Sequence, residues 1–120
     1  MTDSKKDQKF PRLEPFMRLQ GHSGNIEDLA FKNDTSTCEL VSVGIDRYIL
    51  FWDVRAGSSK PVNRALQAHS DDINTVDWCK QDPCYVATGS NDQKVSILDI
   101  RKLTSDVIPD KSVLCPAVVR

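Results

Sequence analysis

The chain repeats itself at an interval of 46 to 47 residues, and this repeat limits its possible folds more than any other feature. Gly21-His22 recurs as Ala68-His69 at an offset of 47, and Trp52-Asp53-Val54-Arg55 recurs as Leu98-Asp99-Ile100-Arg101 at an offset of 46. The one-residue difference falls in the polar stretch KNDTSTCE at 32–39, where a turn absorbs a change of length at little cost. Such a period is typical of a supersecondary unit stacked on its own repeats.

Both repeats are predicted to consist of short β-strands joined by turns, because no segment shows a sustained helical period. The strands predicted for the two repeats are Ile26–Phe31, Leu40–Val43 and Tyr48–Trp52, then Ile73–Trp78, Tyr85–Gly89 and Val95–Leu98. One further strand is expected at Pro61–Gln67, and Phe16–Gln20 is interpreted as the last strand of a preceding unit. The predicted fold class is therefore all-β.

A repeat slightly above 40 residues that opens with Gly-His and closes with Trp-Asp resembles the WD repeat, which forms one blade of a β-propeller. The resemblance implies a partial propeller of about two blades, each a four-stranded antiparallel sheet, because closed rings use about four to eight blades. The predicted division is a disordered tail at 1–15, WD repeats at 16–59 and 60–102, and an irregular tail at 103–120 with room for one extra strand.

The WD-repeat resemblance also implies a buried chain of hydrogen bonds in each blade. Its members are His22, Ser42, Asp46 and Trp52 in the first repeat, and His69, Thr88 and Asp92 in the second. Imidazole, hydroxyl, carboxylate and indole groups supply matching donors and acceptors, so the histidines are interpreted as structural. Leu98 cannot donate a hydrogen bond, so the second blade is predicted to be weaker by about 1 kcal/mol, and Leu98→Trp is predicted to stabilise it if the pocket has room for an indole.

Composition excludes several classes of function. Lys and Arg number 16 against 17 Asp and Glu, a balance that argues against a nucleic-acid binder held by phosphate contacts and against a polybasic protein of the membrane surface. No apolar run approaches the roughly 18 residues of a membrane span, and the polar N-terminus lacks a signal peptide, so we expect a soluble intracellular protein. The four cysteines lack Cys-x-x-Cys spacing, and no phosphate loop occurs. We therefore expect no enzyme activity, cofactor, metal or small-molecule substrate.

One block of the sequence narrows the resemblance to a particular group of WD-repeat proteins. Residues 21–31, GHSGNIEDLAF, resemble the G-H-x-x-x-V-E-D-V-x-[WF] block of the retinoblastoma-binding and MSI-type WD-repeat histone-binding proteins, nearest the FVE-like branch of plants. Ser42-Val43-Gly44-x-Asp46 and Ala87-Thr88-Gly89-Ser90 extend the similarity. The resemblance implies a nuclear chromatin adaptor that works with histone deacetylase or Polycomb-type complexes.

Members of that family bind basic histone tails with residues on the top rim of the propeller. The matching rim positions are Asn25, Glu27, Asp72 and Asn74. A carboxylate at such a rim can hold a Lys or Arg of an extended peptide through a charge-assisted hydrogen bond. The alternative interpretation is that Glu27 and Asp72 are ordinary solvated loop charges.

A second motif favours another partner. Trp52, Asp53 and Arg55 form a Trp-Asp-x-Arg box, which resembles the one that WD-repeat substrate receptors use to dock on the adaptor of a cullin–RING ubiquitin ligase. The simpler alternative is that Arg55 pairs with a nearby carboxylate. A scaffold propeller of ribosome assembly and a truncated copy without function remain open as further alternatives.

Overall fold

The computed structural model describes residues 10–34, 37–65 and 68–103, and this part of the chain is all-β, as predicted. The strands are β1 (Ile26–Phe31), β2 (Glu39–Gly44), β3 (Ile49–Asp53), β4 (Asn63–Ala65), β5 (Ile73–Trp78), β6 (Tyr85–Ser90) and β7 (Val95–Asp99). One-turn 3₁₀ helices follow β3 and β7, at Val54–Ala56 and Ile100–Lys102.

The strands form two antiparallel sheets with the same internal register. The first sheet has the order β1-β2-β3-β4 and the second the order β5-β6-β7. Val41 pairs with Phe51 in the first sheet, and their counterparts 46 residues later, Ala87 and Ile97, pair in the second. Three strands of each repeat are therefore folded into a sheet in the same way, and β4 adds a fourth strand to the first sheet.

The main hydrophobic core lies between the two sheets. Val41 and Phe51 of the first sheet share one buried cluster with Val76 and Trp78 of the second. The rings of Phe51 and Trp78 meet edge to face, with centroids 5.8 Å apart, an arrangement that aromatic pairs favour. Asp28 of β1 also accepts a hydrogen bond from the backbone N–H of Val76 at 2.9 Å, so polar and apolar contacts both join the sheets.

A smaller cluster lies on the other face of the first sheet. Leu40, Leu50 and Trp52 are buried there, and Leu19 from the N-terminal segment packs against them. The backbone approaches closely at Gly21, where a β-carbon would lie 3.0 Å from the indole of Trp52. The residues before β1 thus cover part of the sheet without adding a strand to it.

Two strand predictions differ from the structure. Phe16–Gln20 is not a strand. The backbone N–H of Gln20 donates a hydrogen bond to the carbonyl of Ser59 at 2.9 Å, but the segment does not pair with a sheet. The strand predicted at Pro61–Gln67 is confined to Asn63–Ala65 within the described residues, and it pairs with β3. The sheet of the first repeat thus extends beyond residue 59, where the sequence division placed its end.

The second sheet has three strands within the described residues, against the four predicted. The extra strand was expected in the tail at 103–120, of which only Leu103 is described. Most of the predicted disordered tail at 1–15 also lies outside the described residues, and 10–15 carry neither helix nor strand.

Candidate functional site

The first sheet contains a continuous chain of side-chain hydrogen bonds. Nδ1 of His22 lies 2.9 Å from a carboxylate oxygen of Asp46, and Nε2 of His22 lies 2.7 Å from the Ser42 hydroxyl. The indole N–H of Trp52 donates to the same hydroxyl at 2.8 Å. The structure therefore brings together all four residues that the sequence grouped here.

Every hydrogen bond in this series is donated in the direction of Asp46. The Asp46 carboxylate only accepts, so Nδ1 of His22 carries the proton that it donates. Nε2 then accepts from the Ser42 hydroxyl, whose oxygen accepts the indole N–H of Trp52. A Ser-His-Asp set at these distances imitates a catalytic triad. Here, however, Ser42 is only 3% exposed and its hydroxyl already serves two partners, an arrangement that stabilises the blade.

The second sheet repeats the chain without its last member. His69 lies 3.0 Å from the Asp92 carboxylate through Nδ1 and 2.8 Å from the Thr88 hydroxyl through Nε2. Burial alone would raise the pKa of Asp92, but hydrogen bonds from the Ser70 N–H, His69 and the Lys94 N–H outweigh it and lower the pKa to about 2.

Leu98 occupies the place that corresponds to Trp52, and it is fully buried in the core between the sheets. The second tryptophan, Trp78, satisfies its indole N–H elsewhere, by donating to the carbonyl of Pro83 at 2.7 Å. The prediction that Leu98→Trp stabilises the blade is therefore not supported by the packing. A fully enclosed leucine leaves no room for an indole.

The four predicted rim residues lie at one end of the two sheets. Asn25 and Glu27 are exposed where β1 begins, and Asn74 is exposed near the start of β5. Asp72 is half-buried just before β5, and its carbonyl accepts the backbone N–H of Asn91 at 3.0 Å. The side chains of Asn74 and Asn91 are hydrogen-bonded at 2.6 Å. The two repeats thus present Glu27 and Asp72 on the same side of the molecule.

Three charged residues at this end were missed by the sequence analysis. Arg47, Asp71 and Lys94 are all exposed, and Arg47 and Lys94 border a cavity of about 390 Å³ that His69 and Asp92 also line. Arg47 belongs to the β2–β3 turn, where it adopts a left-handed φ of 67°. Its charge could have been noted from the sequence, whereas its approach to Ser70 of the next repeat, 3.4 Å from guanidinium nitrogen to carbonyl oxygen, depends on how the sheets stack.

The Trp-Asp-x-Arg box lies at the opposite end of the first sheet. Trp52 is 3% exposed, so its ring is enclosed, and Asp53 accepts the backbone N–H of Arg55 at 3.0 Å, which caps the following turn. Arg55 is exposed. In the second repeat the matching pair forms a two-pronged ion pair, in which Arg101 donates to both oxygens of Asp99 at 2.9 and 2.8 Å.

Two features are absent from the residues that the structure describes. In that part of the chain, no cluster of three or more His, Cys, Asp or Glu side chains is arranged to hold a metal ion. Within the same ranges, no helix has the length and apolar character needed to cross a membrane.

Comparison with known proteins agrees with the stacked, repeated sheets and their Gly-His and Trp-Asp signatures. The family description "WD domain, G-beta repeat" matches residues 13–53 and 59–99. The chain belongs to the WD40 family. Its two sheets are accordingly two blades of a partial β-propeller, as the sequence predicted, and protein–protein interaction is the general role of such repeats.

Two WD40 proteins of Arabidopsis thaliana are similar to this chain. WD-40 repeat-containing protein MSI4 is 40% identical over 96 residues, a match that covers 80% of this chain and 18% of MSI4. WD-40 repeat-containing protein MSI3 is 30% identical over 95 residues, covering 78% of this chain and 21% of MSI3. The chain thus spans about a fifth of the length of these relatives, and the resemblance to MSI-type proteins is confirmed.

Proposed function

We propose that this WD40 chain serves a chromatin adaptor of the MSI type, in which the rim formed by Asn25, Glu27, Asp72 and Asn74 binds basic histone tails. The proposal assigns the chain a non-catalytic role and a nuclear location. It is carried by one observation, the presence of Glu27 and Asp72 at the same end of two blades that match MSI proteins.

The geometry of the blades supports an extended peptide as the ligand. Glu27 is the second residue of β1 and Asp72 directly precedes β5, so both carboxylates lie where equivalent strands of adjacent blades begin, and a peptide crossing from one blade to the other passes both. A Lys or Arg side chain at each crossing would form a charge-assisted hydrogen bond. Asn25 and Asn74 offer amide groups beside the carboxylates for the peptide backbone.

Two cations at the rim determine which basic peptides should bind. Arg47 and Lys94 lie at the same end as Glu27 and Asp72, so the potential there is mixed rather than uniformly negative. A basic peptide would be attracted at the individual carboxylates and repelled near the two cations. Spacing of the basic residues along the peptide, and not total charge alone, would then decide affinity.

The test is a titration of a fluorescent basic histone-tail peptide against the wild-type chain and Glu27→Lys, Asp72→Lys and Lys94→Glu variants. Each carboxylate reversal should weaken binding about tenfold, because a charge pair of about 1.4 kcal/mol is lost. Lys94→Glu should strengthen binding, since it removes a repulsive charge from the rim.

The matched control is Glu14→Lys, which makes the same charge reversal at a residue whose side chain is 70% exposed in the N-terminal segment. It should leave the affinity unchanged at moderate salt. Equal binding by wild type, Glu27→Lys and Asp72→Lys would refute the proposed role of the rim. Equal loss with Glu14→Lys would show a response to net charge alone, and would also count against it.

A further inference from the structure

We propose that the cavity between the two blades binds a phosphorylated side chain of the peptide that crosses the rim, with Arg47 and Lys94 as the cations that hold the phosphate. The inference rests on the proposed function, because the phosphate would belong to a peptide whose basic residues bind Glu27 and Asp72. It adds a ligand class and a means of regulation to that site. The supporting observations are the cavity, its two cations and the way in which its carboxylate is already occupied.

The cavity lies at the junction of the blades. Its volume is about 390 Å³, and it is lined by Arg47 of the first blade and by residues of the second, among them Ser70, Asp92 and Lys94. It is therefore a feature of two blades side by side and not of an uncovered outer face. Ligand pockets have volumes of about 300–1,000 Å³, so a phosphoryl group has room here.

Arg47 is held at this junction by its backbone and by the neighbouring blade. It occupies the β2–β3 turn with a left-handed φ of 67°, and a guanidinium nitrogen lies 3.4 Å from the carbonyl oxygen of Ser70. A guanidinium group has five N–H donors in a planar fork, so this one long contact leaves most of them for an anion. Arginine can bind a phosphate through two parallel hydrogen bonds, and the turn presents such a group to the cavity.

Lys94 supplies the second positive charge, from the second blade. It is exposed and lines the same cavity. Within the described residues, neither Lys94 nor Arg47 forms an ion pair with a carboxylate. Two like charges beside one cavity repel each other, and an anion bound between them would turn this repulsion into attraction.

The one carboxylate of the lining is already occupied by its own blade. The side chain of Asp92 is only 7% exposed, and its oxygens accept hydrogen bonds from His69 and from the backbone N–H groups of Ser70 and Lys94. The exposed residues of the lining are Arg47, Ser70 and Lys94, and none of them is acidic. A ligand in the cavity would therefore meet two cations and a serine hydroxyl, which can donate a further hydrogen bond to a phosphate oxygen.

The position of the cavity favours a phosphate that the rim peptide carries. Ser70 lines the cavity and stands two residues before Asp72, so the cations adjoin one of the two carboxylates that hold the peptide. An unmodified basic peptide is repelled there, whereas a phosphoserine beside its basic residue brings a charge of about −1.5 to −2. Phosphorylation should thus make the least favourable part of the rim an attractive one.

The experiment is a titration of one fluorescent basic histone-tail peptide in two forms, unmodified and with a single phosphoserine directly beside a Lys or Arg. The wild-type chain should bind the phosphorylated form about tenfold more tightly, on the order of one charge-assisted hydrogen bond. Lys94→Glu should strengthen binding of the unmodified form and weaken binding of the phosphorylated form. Arg47→Gln should remove most of the preference without straining the turn, because it copies Gln93, which has a φ of 74° at the matching turn of the second blade.

Two controls separate the phosphate site from simpler effects. Lys80→Glu makes the same charge reversal at an exposed lysine beyond the far end of β5, and should leave the preference for the phosphorylated form unchanged at moderate salt. Inorganic phosphate should displace the phosphopeptide only at concentrations far above the dissociation constant of the peptide, because it makes no contact with Glu27 or Asp72. Far-UV circular dichroism of each variant checks that it is folded.

Equal binding of the two peptide forms by the wild-type chain would overturn the proposal. A preference that both Arg47→Gln and Lys94→Glu leave intact would overturn it as well, since both keep the fold by circular dichroism. Inorganic phosphate that competes as well as the phosphopeptide would show a site for the free anion and not for a peptide.

The histone-tail proposal fails on a different result. Glu27→Lys and Asp72→Lys would then bind the unmodified peptide as wild type does, whatever preference for phosphate the cavity shows. No binding of either peptide form by the wild-type chain would overturn both proposals.

Discussion

At the scale of single residues, the hydroxyl of Ser42 is hydrogen-bonded to two buried partners in the first blade. It joins His22 and the indole of Trp52 in a region from which water is excluded. Thr88 has the corresponding place in the second blade, but within the described residues its hydroxyl is hydrogen-bonded to His69 alone, because Leu98 replaces the tryptophan. Removing the two hydroxyls should therefore have unequal effects.

Ser42→Ala should destabilise the chain by about 1–3 kcal/mol, because it leaves two buried polar partners without a hydrogen bond. Thr88→Val should cost less, since one partner is lost. The measurement is urea unfolding at neutral pH. Ser58→Ala is the control; its exposed hydroxyl accepts the backbone N–H of Lys60, and the change should stay within about 0.5 kcal/mol. Equal midpoints for Ser42→Ala and Ser58→Ala would contradict this account of the polar chain.

Asp92 links the same chain to pH. Its pKa is about 2 in the folded chain against an ordinary value of 3.8, so the folded state binds its proton less readily than the unfolded state. The resulting stabilisation is present above about pH 4 and is lost as the pH falls towards 2.

Asp92→Asn should therefore be less stable than wild type at pH 7, and its stability should fall less steeply between pH 4 and 2. The slope should not vanish, because hydrogen bonds from Arg101 hold the pKa of Asp99 below its usual value as well. Unfolding midpoints measured at intervals over that pH range test the prediction. Parallel pH profiles for wild type and Asp92→Asn would contradict it.

At the scale of elements, β5 and β7 provide the second blade's side of the packing between the two blades. Trp78 of β5 lies in the core between the sheets, and Leu98 of β7 is enclosed in the same cluster. In the first blade the residue matching Leu98, Trp52, belongs to the smaller cluster that Leu19 covers. The same strand position thus lies in the core between the sheets in the second blade, and in the smaller cluster against which Leu19 packs in the first.

Leu98→Trp should lower stability by about 1–3 kcal/mol, because an indole overfills the space that the leucine occupies. Leu98→Met is the matched control, since it nearly conserves volume and should cost less than about 1.5 kcal/mol. Thermal unfolding of the three proteins measures the difference. A Leu98→Trp chain more stable than wild type would restore the idea that the second polar chain lacks only its tryptophan.

The strands themselves could be predicted because the repeat carries local information. Alternating residues in β1 and β5, and turn residues between β2 and β3, indicate strands from short stretches of sequence. Phe16–Gln20 is not a strand: Leu19 packs against the smaller cluster of the first sheet, whereas Phe16 is 89% exposed. Periodicity alone does not distinguish a strand from a segment that packs on a sheet through one side chain. The place of β4 in the first sheet could not be derived, because sheet membership depends on pairing across a long connection.

At the scale of the whole molecule, the candidate site was predictable in part. Glu27 and Asp72 were chosen from their position after each histidine, and that spacing is local. The contribution of Arg47 was not foreseen, because it reaches the second repeat only once the blades are stacked.

The two WD40 blades share one hydrophobic core and should therefore unfold as one unit. Urea unfolding tests it most directly, followed by tryptophan fluorescence and by far-UV circular dichroism in the same samples. The chain has two tryptophans; Trp52 reports on the polar chain of the first blade and Trp78 on the interface between the blades. We expect one cooperative transition with the same midpoint for both signals. A gradual change, or separate midpoints, would contradict it.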